Sequence, residues 1–179
     1  MKYTKSGVTL GVGKETQLPF LKTWTARIFA TGFGTGYIPK GQGSLASAVA
    51  LVLWIILVPK SLKAEILTAV GINLLSLPLS EWGEKMWGHD PGRVTIDEFA
   101  GQSIALIGLP SRSIFWLLLA FFLFRFFDVF KPKFVRKYIE TLPGGWGITL
   151  DDTVAGLLAR MVIEILRWFY SLGSRDAKS

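Results

Sequence analysis

Apolar positions along this chain gather in five runs, residues 45–58, 66–79, 99–109, 114–130 and 154–172, separated by short segments rich in charge, glycine and proline. Their lengths favour helices over strands, and Pro59, Pro110 and Pro132 fall at the ends of runs, where a missing N–H does least harm. The pattern predicts an all-α fold, a compact bundle of about five main apolar helices. A polar lead over residues 1–22 precedes it, without the continuous apolar stretch of a signal peptide. Only the longer runs approach the roughly 20 residues that cross a bilayer core. The third is about half that length, as a re-entrant or protein-buried helix would be. No repeat or linker divides the 179 residues, so a single domain is expected.

If the runs pack antiparallel through the short turns 59–63 and 110–113, segments 43–44, 81–98, 125–137 and 144–152 come to one side. Nearly all the charged residues converge there. Lys22, Arg27, Lys40, Lys85 and Arg93, with Lys2, Lys5 and Lys14 of the lead, belong to that side; the other has mainly Lys60, Lys63, Arg112, Arg175 and Lys178. The positive-inside rule then makes the carboxylate side cytoplasmic.

Composition narrows the chemistry. Half of the residues are hydrophobic, with seven Trp and thirteen Phe, more than a small soluble core needs, which points to lipid and a membrane-embedded bundle. A net charge of +7 suits an anionic membrane or an anionic substrate; nucleic acid is disfavoured because the basic residues are scattered among apolar runs. The absence of cysteine removes disulfides, thiolate zinc sites and cysteine nucleophiles, and His89 is the only histidine. Catalysis must rest on carboxylates, Arg and Lys, and hydroxyls.

Those groups fall in four blocks. Asp97 and Glu98 in "TIDEFAG" and Asp151 and Asp152 in "GGWGITLDDTVAG" stand at the starts of apolar runs. Capping explains each pair taken alone, at about 0.3–1 kcal/mol per residue. Four carboxylates on one face repel each other unless a cation sits among them, and oxygen donors favour Mg²⁺, Mn²⁺ or Ca²⁺ over zinc. In "FRFFDVFKP", Arg125 and Asp128 share a helix face and Lys131 follows a turn later. An ion pair or a phosphate-binding pair satisfies that spacing equally, although an Arg inside "FFLFRFF" is costly in hydrocarbon and argues for a buried partner. "TGFGTGYIPKGQGSLAS" has the composition of an anion-cradling loop running into a helix, with Ser44 either its N-cap or a phosphate contact. "GHDPGR" reads as a turn in which His89 is structural and Asp90 is a further ligand or a general base.

The blocks "TGFGTGYIPKGQGSLAS", "HDPGRVTIDEFAG", "FRFFDVFKP" and "GGWGITLDDTVAG", in this order, resemble the phosphatidylglycerophosphatase A family over roughly residues 28 to 170. The resemblance implies removal of the terminal phosphate monoester of phosphatidylglycerophosphate, yielding phosphatidylglycerol, with Mg²⁺ required, at a bacterial-type inner membrane. It carries the family's acidic motif onto Asp97 and Glu98, its Arg–Asp–Lys motif onto Arg125, Asp128 and Lys131, and its paired aspartates onto Asp151 and Asp152. Where the family reads Pro-Gly-Thr before the Gly-Ser of the first block, this chain has Pro39-Lys40-Gly41-Gln42-Gly43-Ser44, a shortened loop without the threonine hydroxyl, in which Lys40 is the replacement charge.

Elimination agrees with that activity, since neither a cysteine nor a two-histidine phosphatase can be built from these residues. The expectation is that Asp97, Glu98, Asp151 and Asp152, with help from Asp128, hold one or two Mg²⁺ and so direct a water at phosphorus, while Arg125, Lys131 and Ser44 hold the phosphate. Two other classes compete. A divalent-cation transporter would carry acidic residues at mid-segment depth and on both faces, whereas the clear mid-segment charges are Arg125, Arg160 and Glu164. A non-catalytic protein docked on anionic lipid would leave the paired carboxylates without a purpose.

Overall fold

The computed structural model describes residues 18–139 and 141–176, and among them every regular element is helical. Lys2, Lys5, Lys14 and Lys178, which entered the charge comparison, lie outside the described residues. Helix α1 (Phe20–Thr25) begins inside the expected polar lead and continues as a π-helical turn, Ala26–Ala30. A 3₁₀ turn, Thr35–Tyr37, leads to α2 (Gln42–Leu57), α3 (Leu62–Trp87), α4 (Ile96–Ala105), α5 (Ile114–Val129), α6 (Lys133–Tyr138) and α7 (Gly145–Asp176).

Four of the apolar runs lie inside longer or shifted helices for one reason: hydrophobicity marks the faces that leave water, whereas backbone hydrogen bonding carries a helix on through polar turns. The difference matters most in α7, which starts more than two turns before the run at 154–172. Asp151 and Asp152 therefore lie within a helix rather than at its beginning, and the capping explanation for them is corrected.

Helix α4 is the hub, packed against α2, α3, α5 and α7, with eight of its ten residues buried. At about 1.5 Å per residue it is roughly 15 Å long, half a bilayer core, so it is enclosed by protein. Its closest neighbour is α7, and small residues permit the approach. A Cβ on Gly101 would run into the Asp152 carbonyl oxygen, and one on Gly156 would run into the Gly101 carbonyl oxygen. Below this crossing Trp54, Leu106, Leu117, Phe124 and Ile163 form one apolar core; a second joins Ala26, Ala30, Ala46, Leu79 and Phe99 near the N-terminal turns.

The outer faces are also apolar: Ile56 on α2, Leu67 and Leu74 on α3, Phe115 and Phe122 on α5 and Met161 on α7 are all exposed. Among the described residues, α3 is the one helix long and apolar enough to cross a membrane. At the end opposite the paired acids, the sequence reading passed over a buried carboxylate, Glu65. It accepts hydrogen bonds from the Gly108 N–H at 2.7 Å and from Arg112 at 2.9 Å, and Arg112 also donates to the Val58 carbonyl at 2.7 Å. This charge is spent on tying the α2–α3 turn to the α4–α5 turn. Arg160 and Glu164, two of the three expected mid-segment charges, pair with each other one turn apart on α7.

Candidate active site

Ends of α2, α4, α5 and α7 and the loop after α3 meet around an open cavity of about 320 Å³. The start of α2 supplies Gly41, Gln42, Gly43 and Ser44. Gly41, with φ 73°, takes the left-handed conformation that turns the chain into the helix, so Gly41 is the N-cap and Ser44 lies within the first turn. The N-cap reading of Ser44 is corrected, and Ser44 lines the cavity. Gly43 leaves room for an acid, because a Cβ there would fall on the Glu98 carboxylate and 3.1 Å from the Arg125 guanidinium.

The rest of the glycine-rich block serves another purpose. Thr35 shares a 3.0 Å hydrogen bond with Thr95, and the Thr95 N–H donates to the Ala30 carbonyl at 2.8 Å, which fastens residues 30–35 to the entry of α4. Lys40 is exposed and does not line the cavity, so the expectation that it replaces the missing loop hydroxyl is not met.

The charged side chains interlock. Arg125 donates to Glu98 and, 3.0 Å away, to Asp128. Lys131 pairs with Asp151 and stands 3.7 Å from Asp128. Ser47, absent from the sequence reading, donates to Glu98 Oε2 at 3.0 Å and accepts from Arg125 at 3.4 Å. Its signal was available: position 47 follows Gly43 by one helical turn and shares its face.

One carboxylate oxygen each from Glu98, Asp128 and Asp152 lies within 4.8 Å of the others, a donor set able to hold a metal ion. Asp97 and Asp151 line the same cavity outside this trio. Adjacent residues on a helix point about 100° apart, so only one member of each acidic pair aims at the centre. Asp97 turns back to accept the Glu98 N–H at 3.0 Å, and Asp151 goes to Lys131. Asp90 sits at the rim, exposed, with φ 43°. His89 pairs with Glu84 at 2.5 Å and does not line this cavity, in keeping with a structural role.

Electrostatics follow from crowding. Desolvation and then the charge of Glu98 hold Asp97 well above the usual carboxylate range. Burial pushes Glu98 up against the opposing pull of Arg125. Lys131, despite desolvation, is held above the ordinary lysine value by its hydrogen bond to Asp151 and the surrounding carboxylates. The lining carries six acids, Asp90, Asp97, Glu98, Asp128, Asp151 and Asp152, and two bases, Arg125 and Lys131, a formal charge of −6 + 2 = −4. All-oxygen donors with surplus negative charge fit a hard divalent cation.

The family model described as phosphatidylglycerophosphatase A matches residues 28–167, which include every residue of this cavity. The chain belongs to the phosphatidylglycerophosphatase A family. Among similar curated proteins, the phosphatidylglycerophosphatase A of Haemophilus influenzae is 35% identical over 144 residues, covering 79% of this chain and 88% of that protein. The phosphatidylglycerophosphatase A of Escherichia coli is 29% identical over 161 residues, covering 89% and 92%. A putative phosphatidylinositol-3-phosphatase of Bacteroides thetaiotaomicron is 35% identical over 150 residues, covering 79% and 92%. No solved structure matches. Membership makes the chain a phosphatase.

Proposed function

We propose that this phosphatase hydrolyses the terminal phosphate monoester of phosphatidylglycerophosphate to phosphatidylglycerol, using Mg²⁺, at the cytoplasmic face of a bacterial inner membrane. The observation that carries the proposal is the surplus of carboxylates, six acids against two bases in one cavity, with Asp97 and Asp152 both held well above the usual carboxylate range by burial and by their acidic neighbours. Crowded carboxylates ionise together only when divalent cations offset their repulsion, and the same cations let an anionic phosphate monoester enter. Glu98, Asp128 and Asp152 would hold the first ion, and Asp97 and Asp151 border a second. When bound, Mg²⁺ supplies charge stabilisation at the phosphoryl oxygens and a water acidic enough to attack at neutral pH.

The chain's own side chains do the remainder. Arg125 presents a planar fork to the phosphoryl oxygens and Lys131 a second positive contact, each kept in position by the carboxylates it bridges. Ser47 fixes the orientation of Glu98, and Ser44 offers a hydroxyl from the first turn of α2. Asp97, beside the trio, takes the proton of the attacking water.

The apolar outer faces of α2, α3, α5 and α7 support embedding in lipid, where the substrate resides. The relative named as a putative phosphatidylinositol-3-phosphatase supports a second reading, in which the headgroup is an inositol phosphate. Phosphate release by purified protein, with and without Mg²⁺, separates these from phosphatidic acid and soluble monoesters. Phosphatidylglycerophosphate is expected to be hydrolysed fastest and only with Mg²⁺, and Asp97→Asn is expected to fold without turnover. Equal rates on every substrate, or full activity in chelator, overturn the proposal.

A further inference from the structure

Beside the catalytic cavity lies a second one of about 230 Å³, between the turn that follows α3 and the start of α7. Asp90, Ile148 and Asp151 line both, forming a common wall. The far side is built from Leu142, Gly144 and Gly147. Gly144 has φ 65° and a Cβ there would run into the Glu81 carboxylate, while a Cβ on Gly147 would stop 2.5 Å from the Leu142 carbonyl oxygen. These positions admit no side chain, so the wall is close-packed backbone.

Asp90 holds a left-handed backbone at φ 43° and is exposed, and its charge acts on His89, which lines the same cavity. Aspartate tolerates that conformation in a turn, which accounts for the backbone. It does not account for a carboxylate on the wall between two cavities.

We propose that the second cavity is the subsite for the polyol portion of the headgroup, with Asp90 accepting a hydrogen bond from a hydroxyl close to the phosphate ester. This rests on the phosphomonoester reading above. His89, whose imidazolium form is favoured by its bond to Glu84, lines the cavity together with two carboxylates and no Arg or Lys, so the carboxylates outnumber the single histidine, a further anion is disfavoured and a neutral hydroxyl donor is favoured. Leu142 and Ile148 offer apolar surface to the carbon skeleton. At about 30 Å³ per water, the space equals roughly eight water molecules, enough for a glycerol unit. Because the wall is shared, a hydroxyl one carbon from the esterified oxygen can lie on one side of Asp90 while the phosphate lies on the other.

The test compares binding of glycerol 3-phosphate and propyl phosphate, which carry the same phosphate with and without hydroxyls, by calorimetry in Mg²⁺. Wild-type protein is expected to favour glycerol 3-phosphate by about tenfold, the scale of a hydrogen bond to a charged acceptor. Asp90→Gly removes the carboxylate in a residue at ease with positive φ. It is expected to bring the ratio of the two affinities to about one, a readout that cancels the loss of one negative charge near the phosphate, which acts on both compounds alike; Asp90→Asn, which loses the same charge but keeps an acceptor, restores part of the ratio. Equal affinities in wild type, no binding of either compound, or equal losses for both in Asp90→Gly overturn the subsite. Failure to release phosphate from phospholipid would instead count against the substrate reading, since the binding ratio requires no turnover.

Discussion

Replacing Gly156 by alanine tests whether the close crossing of α4 and α7 assembles the carboxylate trio. A Cβ at this position would lie 3.0 Å from the Gly101 carbonyl carbon, 3.1 Å from Ile104 Cβ, and nearer still to the Gly101 oxygen. Carbon contacts are comfortable at about 3.5–4.0 Å, so the helices must part by roughly half to one ångström. Glu98 is one turn from Gly101 on α4, and Asp152 one turn from Gly156 on α7, so the displacement passes directly to oxygens that now lie within 4.8 Å. Misplacing a catalytic group by about 1 Å costs on the order of 10²-fold in rate. Overpacking costs about 1–3 kcal/mol, within the stability of an ordinary domain, so the variant remains folded. Phosphate release as a function of Mg²⁺ concentration, with thermal melting followed by circular dichroism, reads both effects. The variant is expected to keep its helicity, melt earlier, need more Mg²⁺ and turn over about 10²-fold more slowly. Leu157→Ala, at the exposed neighbouring position, is expected to match wild type. A Gly156→Ala protein with wild-type rate and wild-type Mg²⁺ dependence would refute the reasoning.

Two further predictions concern charge. Arg125 holds Glu98 and Asp128 through one nitrogen, Nη1, so Arg125→Lys keeps a cation but loses the remaining guanidinium donors proposed for the phosphoryl oxygens, and is expected to lower kcat by about 10²-fold; an unchanged kcat would show that a point charge suffices. Without metal, folded Asp97 holds its proton above its ordinary value of 3.8, whereas the unfolded chain releases it. The folded state then binds more protons, so this contribution to stability falls as pH rises from 3.8 to the raised value. Protein in chelator is expected to melt at progressively lower temperature as pH rises from about 4, a trend that Mg²⁺ removes; melting that is flat or rises with pH in chelator contradicts it.

Much of the arrangement was legible in the chain. Periodic apolar runs and proline positions gave helices, because burying an apolar stripe while pairing every backbone group leaves few options. Alternating helix directions gathered the charged segments at one end, and the cavity is lined from those segments. Short α6, rich in charge and aromatic rings, carried no apolar run and was missed, as was the true start of α7. Glu65 was passed over because the Arg112 that balances it lies forty-seven residues away.

By itself the sequence determined which residue types are available for chemistry, which end of the bundle they occupy and, through four blocks in order, the family. Only tertiary structure decided which acid of each adjacent pair joins the close trio, that Asp128 joins Glu98 and Asp152 there, and that Ser47 supports them. Local periodicity specifies that a helix forms, but its rotation about its own axis is set by what it packs against. Here that rotation depends on Gly101 and Gly156 meeting across α4 and α7, a contact between residues far apart in the chain.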